Sequence, residues 1–79
     1  MKTIRINVIA ARLSDKGISY HYQGSQVIRC VWSDHYNATI EEPMHYDYDD
    51  NINAAIARDA ELVLKPGEQL AAKYDHDLG

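Results

Sequence analysis

The sequence predicts an α+β domain: a three- or four-stranded antiparallel meander with one or two C-terminal helices packed on one face. Three observations carry this. Short runs of alternating apolar and polar residues, broken by glycine-containing turns, occupy the first half of the chain. A stripe at helical spacing, Ile52, Ala55, Ile56, Ala60 and Val63, follows. The length of 79 residues with 46 % hydrophobic content allows one small core, so residues 1–79 are a single domain.

The elements follow in order. Residues 3–13 alternate at first, with Ile4, Ile6 and Val8 against Arg5 and Asn7, and then change phase at Ile9, Ala11 and Leu13. This reads as a long strand with a bulge near Val8 or Ile9. The stretch SDKG at 14–17 turns the chain, with Gly17 free to take positive φ. ISYHYQ (18–23) and QVIRCVWS (26–33) form a hairpin about Gly24 and Ser25, which sets Gln23 opposite Gln26, Tyr22 opposite Val27, His21 opposite Ile28, Tyr20 opposite Arg29 and Ser19 opposite Cys30. Continued across the first turn, the register places Arg12 opposite Tyr20. One sheet face then carries Ile9, Ala11, Leu13, Ile28, Cys30 and Trp32 and is expected to be the core. The other carries Arg12, Tyr20, Tyr22, Val27 and Arg29 and faces solvent.

HYNATI (35–40) reads as a short fourth strand that Pro43 ends. The acidic run EEPMHYDYDD is an exposed connection, and Asp49, Asp50 or Asn51 caps a helix from about Asn51 to Val63. Pro66 and Gly67 break that helix, and a shorter one spans about Glu68 to Tyr74.

Charge is distributed unevenly. Residues 1–29 carry Lys2, Arg5, Arg12, Lys16 and Arg29 against Asp15 alone, whereas residues 30–57 carry six carboxylates and no Lys or Arg. The helix dipole accounts for Asp49 and Asp50, leaving Glu41, Glu42 and Asp47 without a local role. With Tyr36, Tyr46 and Tyr48 interleaved, the segment has the composition of a surface that docks on a basic partner: carboxylates for attraction, tyrosines for rigid contact area and cation–π faces. A solvated loop that keeps the chain soluble is the plainer account of the same residues.

Other chemistries fit less well. Asp47, Asp49, Asn51 and Asn53 have the alternate spacing of an EF-hand loop, but Ile52 stands where glycine is needed and Arg58 where a bidentate glutamate is needed. His35 and His45 lack metal-ligand spacing. His21 lies near Cys30 on the same sheet face, but a cysteine on an apolar core face is usually inert. No cofactor and no metal are expected, and without a nucleophile and base paired by role and spacing the chain is not read as an enzyme. Arg12, Tyr20, Tyr22 and Arg29 are residue types that stack bases and hold phosphates, so a single-stranded nucleic-acid module is the alternative. It ranks below a protein partner because the net charge is −4. The polarised charge and an open sheet edge leave a homodimer as a further expectation. A single cysteine suits a reducing compartment, and neither an export signal nor an 18-residue apolar span is present, so the expected location is cytoplasmic, away from membranes.

In type, the chain resembles the small, acidic, single-domain proteins that bacteriophages encode against host defence, the anti-CRISPR and anti-restriction inhibitors. The resemblance rests on size, a meander with one or two helices, and an acidic, tyrosine-rich surface; no residue motif carries it. It implies that Glu41, Glu42, Asp47, Asp49 and Asp50, with Tyr36, Tyr46 and Tyr48, contact a basic, nucleic-acid-binding site on a host protein or nucleoprotein complex. The basic N-terminal third departs from inhibitors that mimic DNA, which are acidic throughout.

Overall fold

A computed structural model describes residues 1–44 and 51–71. The fold is α+β, but the strands form two sheets in place of one meander. β1 (Lys2–Ile4) pairs in parallel with β5 (Glu68–Leu70), and β2 (Ile18–Gln23), β3 (Gln26–Ser33) and β4 (Ala38–Met44) form an antiparallel sheet in that order. Between β1 and β2 lies α1 (Ile6–Asp15); between β4 and β5 lies α2 (Ile52–Asp59), which tightens into a 3₁₀ turn over Ala60–Leu62.

The long first strand expected over residues 3–13 is therefore replaced by three residues of β1 and the helix α1. The change of phase read as a bulge is helical periodicity: Ile6, Ile9 and Leu13 recur at i, i+3 and i+7 and are buried, while Val8 is 42 % exposed. Packing against α2 buries that stripe and overrides the strand preference of Ile and Val. Gly17, at φ +80°, follows the helix, and its N–H donates to the Ser14 carbonyl at 2.9 Å. A Cβ at this glycine would lie 3.0 Å from the Trp32 Cβ, and its carbonyl accepts the Trp32 N–H at 2.9 Å, so the helix end is locked to β3.

The β2–β3 hairpin has the expected register, from Gln23 opposite Gln26 to Ser19 opposite Cys30, with Gly24 at φ +62° in the turn. Of the residues expected in the core, Ile9, Leu13, Ile28 and Cys30 are buried while Ala11 and Trp32 are exposed, and it is the Tyr20 face of the hairpin that packs on the helices. Ile18, Tyr20 and Val31 pack with Ile6, Ile9, Leu13, Ile56, Ala60 and Val63 in the core. Alternation then puts Ile28, Cys30 and Trp32 on the outer face. Ile28 and Cys30 are nonetheless buried there, whereas Trp32 is 46 % exposed and its indole N–H donates to Asp34 at 2.9 Å. The choice of face follows from the error at residues 3–13: a helix behind the sheet can cover the Tyr20 face, whereas a strand beside it could not.

Residues 34–37 form a turn with Asn37 at φ 50°, so the fourth strand starts at Ala38, later than expected, and runs through Pro43 to Met44. β4 is an edge strand, where a missing N–H is tolerated. Glu41 and Glu42 lie within this strand and not in a connection. Asn51 caps α2 as expected, its Oδ1 accepting the Ala54 N–H at 2.8 Å. In place of a second C-terminal helix at Glu68, the chain turns at Lys65–Glu68, with Gly67 at φ +83° and the Glu68 N–H bonded to the Lys65 carbonyl at 3.0 Å, and enters β5.

Candidate functional site

Of the residues expected to bind a partner, Tyr46, Asp47, Tyr48, Asp49 and Asp50 lie outside the described residues, as does His45. The rest converge on the β3–β4 hairpin. Tyr36 stands in its turn, 68 % exposed, with its N–H bonded to the Ser33 hydroxyl at 3.3 Å and its ring edge-on to His35 at 4.7 Å between centroids. Trp32 flanks the turn on the outer face and Ile40, 44 % exposed and opposite Val31, on the inner one. Asp34, Glu41 and Glu42 are exposed beside them. Glu42 is partly compensated: it lies opposite Arg29 and accepts its Nη1–H at 3.1 Å. Trp32 and Ile40 therefore lie on opposite faces of the hairpin end, with Tyr36 in the turn and carboxylates alongside.

Of the residues expected from sequence to offer a face to nucleic acid, Tyr22 is exposed, while Arg12, Tyr20 and Arg29 are partly buried. Arg12 is on α1, where its guanidinium grips Glu68 with two hydrogen bonds, at 2.7 and 3.1 Å, and also donates to the Val63 carbonyl at 3.1 Å. Glu68 accepts the Lys65 N–H as well, and the pairing with Arg12 holds its carboxyl down at about 2. Tyr20 and Arg29 do sit opposite each other, but both donate to Oδ2 of Asp59 on α2, Arg29 at 2.7 Å. Burial, reinforced by the hydrogen bond to Asp59, pushes the Tyr20 phenol well above its ordinary range. The Tyr22 hydroxyl accepts the Ile52 N–H at 3.2 Å, at the first turn of α2. These four residues fasten helices to sheet; their polar atoms already have partners within the chain.

A third group lies on the outer face of the sheet, one residue per strand. Cys30 on β3, 7 % exposed, has its Sγ 3.3 Å from His21 Nδ1 on β2 and 3.9 Å from Glu41 Oε1 on β4. The sequence already places His21 near Cys30 on one face. Glu41 escapes it because β4 was expected to end before this residue; with the strand running to Met44, Cys30 and Glu41 become direct cross-strand partners. Burial raises the Cys30 thiol above its ordinary range and the Glu41 charge adds to this, against a smaller opposite effect of the Ser19 hydrogen bond.

On the far side, Arg12, Asp15, Lys16, Val63 and Lys65 line an open depression of about 240 Å³. Of its cations, Arg12 is already taken by Glu68. No helix among the described residues is long and apolar enough to cross a membrane. No protein-family model matches the chain, and neither does any curated protein or solved structure.

Proposed function

We propose that the chain is a binding protein that docks the tip of the β3–β4 hairpin, together with the acidic segment that follows it, on a basic surface of another macromolecule. The observation that carries this reading is the exposure of Trp32, Tyr36 and Ile40 at one hairpin end, beside Asp34, Glu41 and Glu42, within a stretch from 30 to 57 that contains no Lys or Arg. Carboxylates in excess over local cations raise the rate of encounter with a positive groove, and exposed aromatic rings hold the docked state once water leaves. A nucleic-acid-binding groove of a host complex has the required chemistry, and blocking it is what inhibitors of the anti-CRISPR or anti-restriction type do. Nucleic acid itself is the weaker partner, since Arg12, Tyr20 and Arg29 are engaged within the chain.

The test is affinity capture from nuclease-treated lysate with crosslinking to locate the contact. Wild type is compared with a variant carrying Glu41→Gln, Glu42→Gln, Asp47→Asn and Asp49→Asn, and with Trp32→Ser plus Tyr36→Ser. A partner that crosslinks to residues 32–50, weakens with salt and is lost by both variants supports the reading. Equal capture by all three proteins reduces the segment to a solubility device.

A further inference from the structure

We propose that His21, Cys30 and Glu41 form a Zn²⁺ site on the outer face of the β2–β3–β4 sheet. Their donor atoms, one nitrogen, one sulfur and one carboxylate oxygen, lie within 4.8 Å of one another. Zinc bonds of about 2.0–2.3 Å to such donors, set at tetrahedral angles, separate sulfur from nitrogen or oxygen by about 3.5 Å. The observed separations from Sγ, 3.3 Å to His21 Nδ1 and 3.9 Å to Glu41 Oε1, bracket that value. Glu41 is exposed on a flexible stem, and a small rotation brings its oxygen into the shell.

Sheet register makes the arrangement specific. Cys30 and Glu41 are direct cross-strand partners, while His21 is two residues along β2 from Ser19, the partner of Cys30 on the other side. All three side chains therefore project from one face of three adjacent strands, on backbone that the ladder holds rigid. The donor set selects the ion: a thiolate and an imidazole disfavour Ca²⁺ and Mg²⁺, which need oxygen ligands, and suit Zn²⁺. Three protein ligands leave a fourth position, and the two outer ligands, His21 and Glu41, reach solvent, so water or a partner's side chain completes the tetrahedron. Glu41 is common to this site and to the docking surface, whereas His21 and Cys30 belong to this site alone, so the His21 variant tests the metal without touching the docking carboxylates.

Co²⁺ serves as a spectroscopic stand-in for zinc, titrated into the reduced full-length chain. The expected result is thiolate-to-cobalt charge-transfer absorption that saturates at one ion per chain and is displaced by one equivalent of Zn²⁺. Cys30→Ser abolishes the absorption. His21→Ala and Glu41→Gln each weaken binding by at least about tenfold, a loss already reached when an outer partner of a metal ligand is removed. Since His21 and Glu41 are exposed, these two variants keep their fold and decide the question even if Cys30→Ser does not fold. Absence of charge-transfer absorption in the wild type with Co²⁺ in excess overturns the site. So does undiminished binding by the His21→Ala, Glu41→Gln double variant, which would mean that the sulfur acts alone.

Discussion

At Asp59 two side chains from adjacent strands, Tyr20 and Arg29, converge on one carboxylate oxygen. With both Arg29 and Asp59 largely shielded from water, the pair joins α2 to the sheet through charge-assisted hydrogen bonds. Asp59→Ala removes the shared acceptor and is expected to cost about 2–3 kcal/mol in denaturant unfolding, a large share of what a domain of this size has. Tyr20 adds a pH signature. A phenol whose folded pKa is raised contributes stability below its ordinary value of 10.0 and loses it as pH rises further. Wild type should therefore destabilise more steeply than Tyr20→Phe above that value. Glu68 behaves in the opposite sense. Arg12 lowers its folded pKa, so its contribution is complete above the ordinary 4.5 and is lost as pH falls toward about 2. Melting temperatures of wild type and Glu68→Gln should converge across that interval; a constant difference would show that the pair with Arg12 adds nothing.

Among the elements, the junction of α1 with the hairpin is the most constrained. Gly17 combines positive φ with a Cβ position 3.0 Å from the Trp32 Cβ. Gly17→Ala should cost about 1–2 kcal/mol for the left-handed backbone alone, and more for the crowding. Trp32 itself is a different case. An indole 46 % exposed does not lose what a core tryptophan loses, so Trp32→Ala is expected to cost about 1–2 kcal/mol in place of the 3–5 of a buried one. Chemical denaturation separates the two, and a loss above about 3 kcal/mol would return Trp32 to the core.

On the scale of the whole molecule, the parallel pairing of β1 with β5 ties the start of the chain to residues 68–70. The ladder is extended at both ends, from the Lys2 N–H to the Gly67 carbonyl and from the Ala71 N–H to the Ile4 carbonyl, each at 2.9 Å. Ile4, 5 % exposed, carries this pair into the core beside Ile6 and Ile9. Ile4→Ala should cost about 2–4 kcal/mol and should speed hydrogen exchange at Ala71, whose amide depends on β1. The charge polarity of the sequence is also partly spent within the fold, since Arg12 binds Glu68 and Arg29 binds both Glu42 and Asp59. Self-association through opposite charges has correspondingly less to draw on, and sedimentation at low and high salt measures what is left.

Local chemistry by itself determined the β2–β3 hairpin with its register, the Asn51 cap and the α2 stripe, because a two-residue turn, a capping side chain and an i, i+4 pattern are each decided within a few residues. It also brought His21 near Cys30 on one face. Residues 4–13 were ambiguous locally: Ile4, Ile6 and Val8 satisfy a period of two while Ile6, Ile9 and Leu13 satisfy the helical one, and only burial against α2 decides between them. From that decision followed which sheet face is covered, and hence the exposure of Trp32 and the attachment of Tyr20 and Arg29 to Asp59. The pairing of β1 with β5 and the Arg12–Glu68 clamp belong wholly to tertiary structure, while Glu41 meets Cys30 through a hairpin register that the length of β4 decides. The first two depend on segments whose partner no local pattern specifies, and their alignment is set by what the assembled core leaves in register.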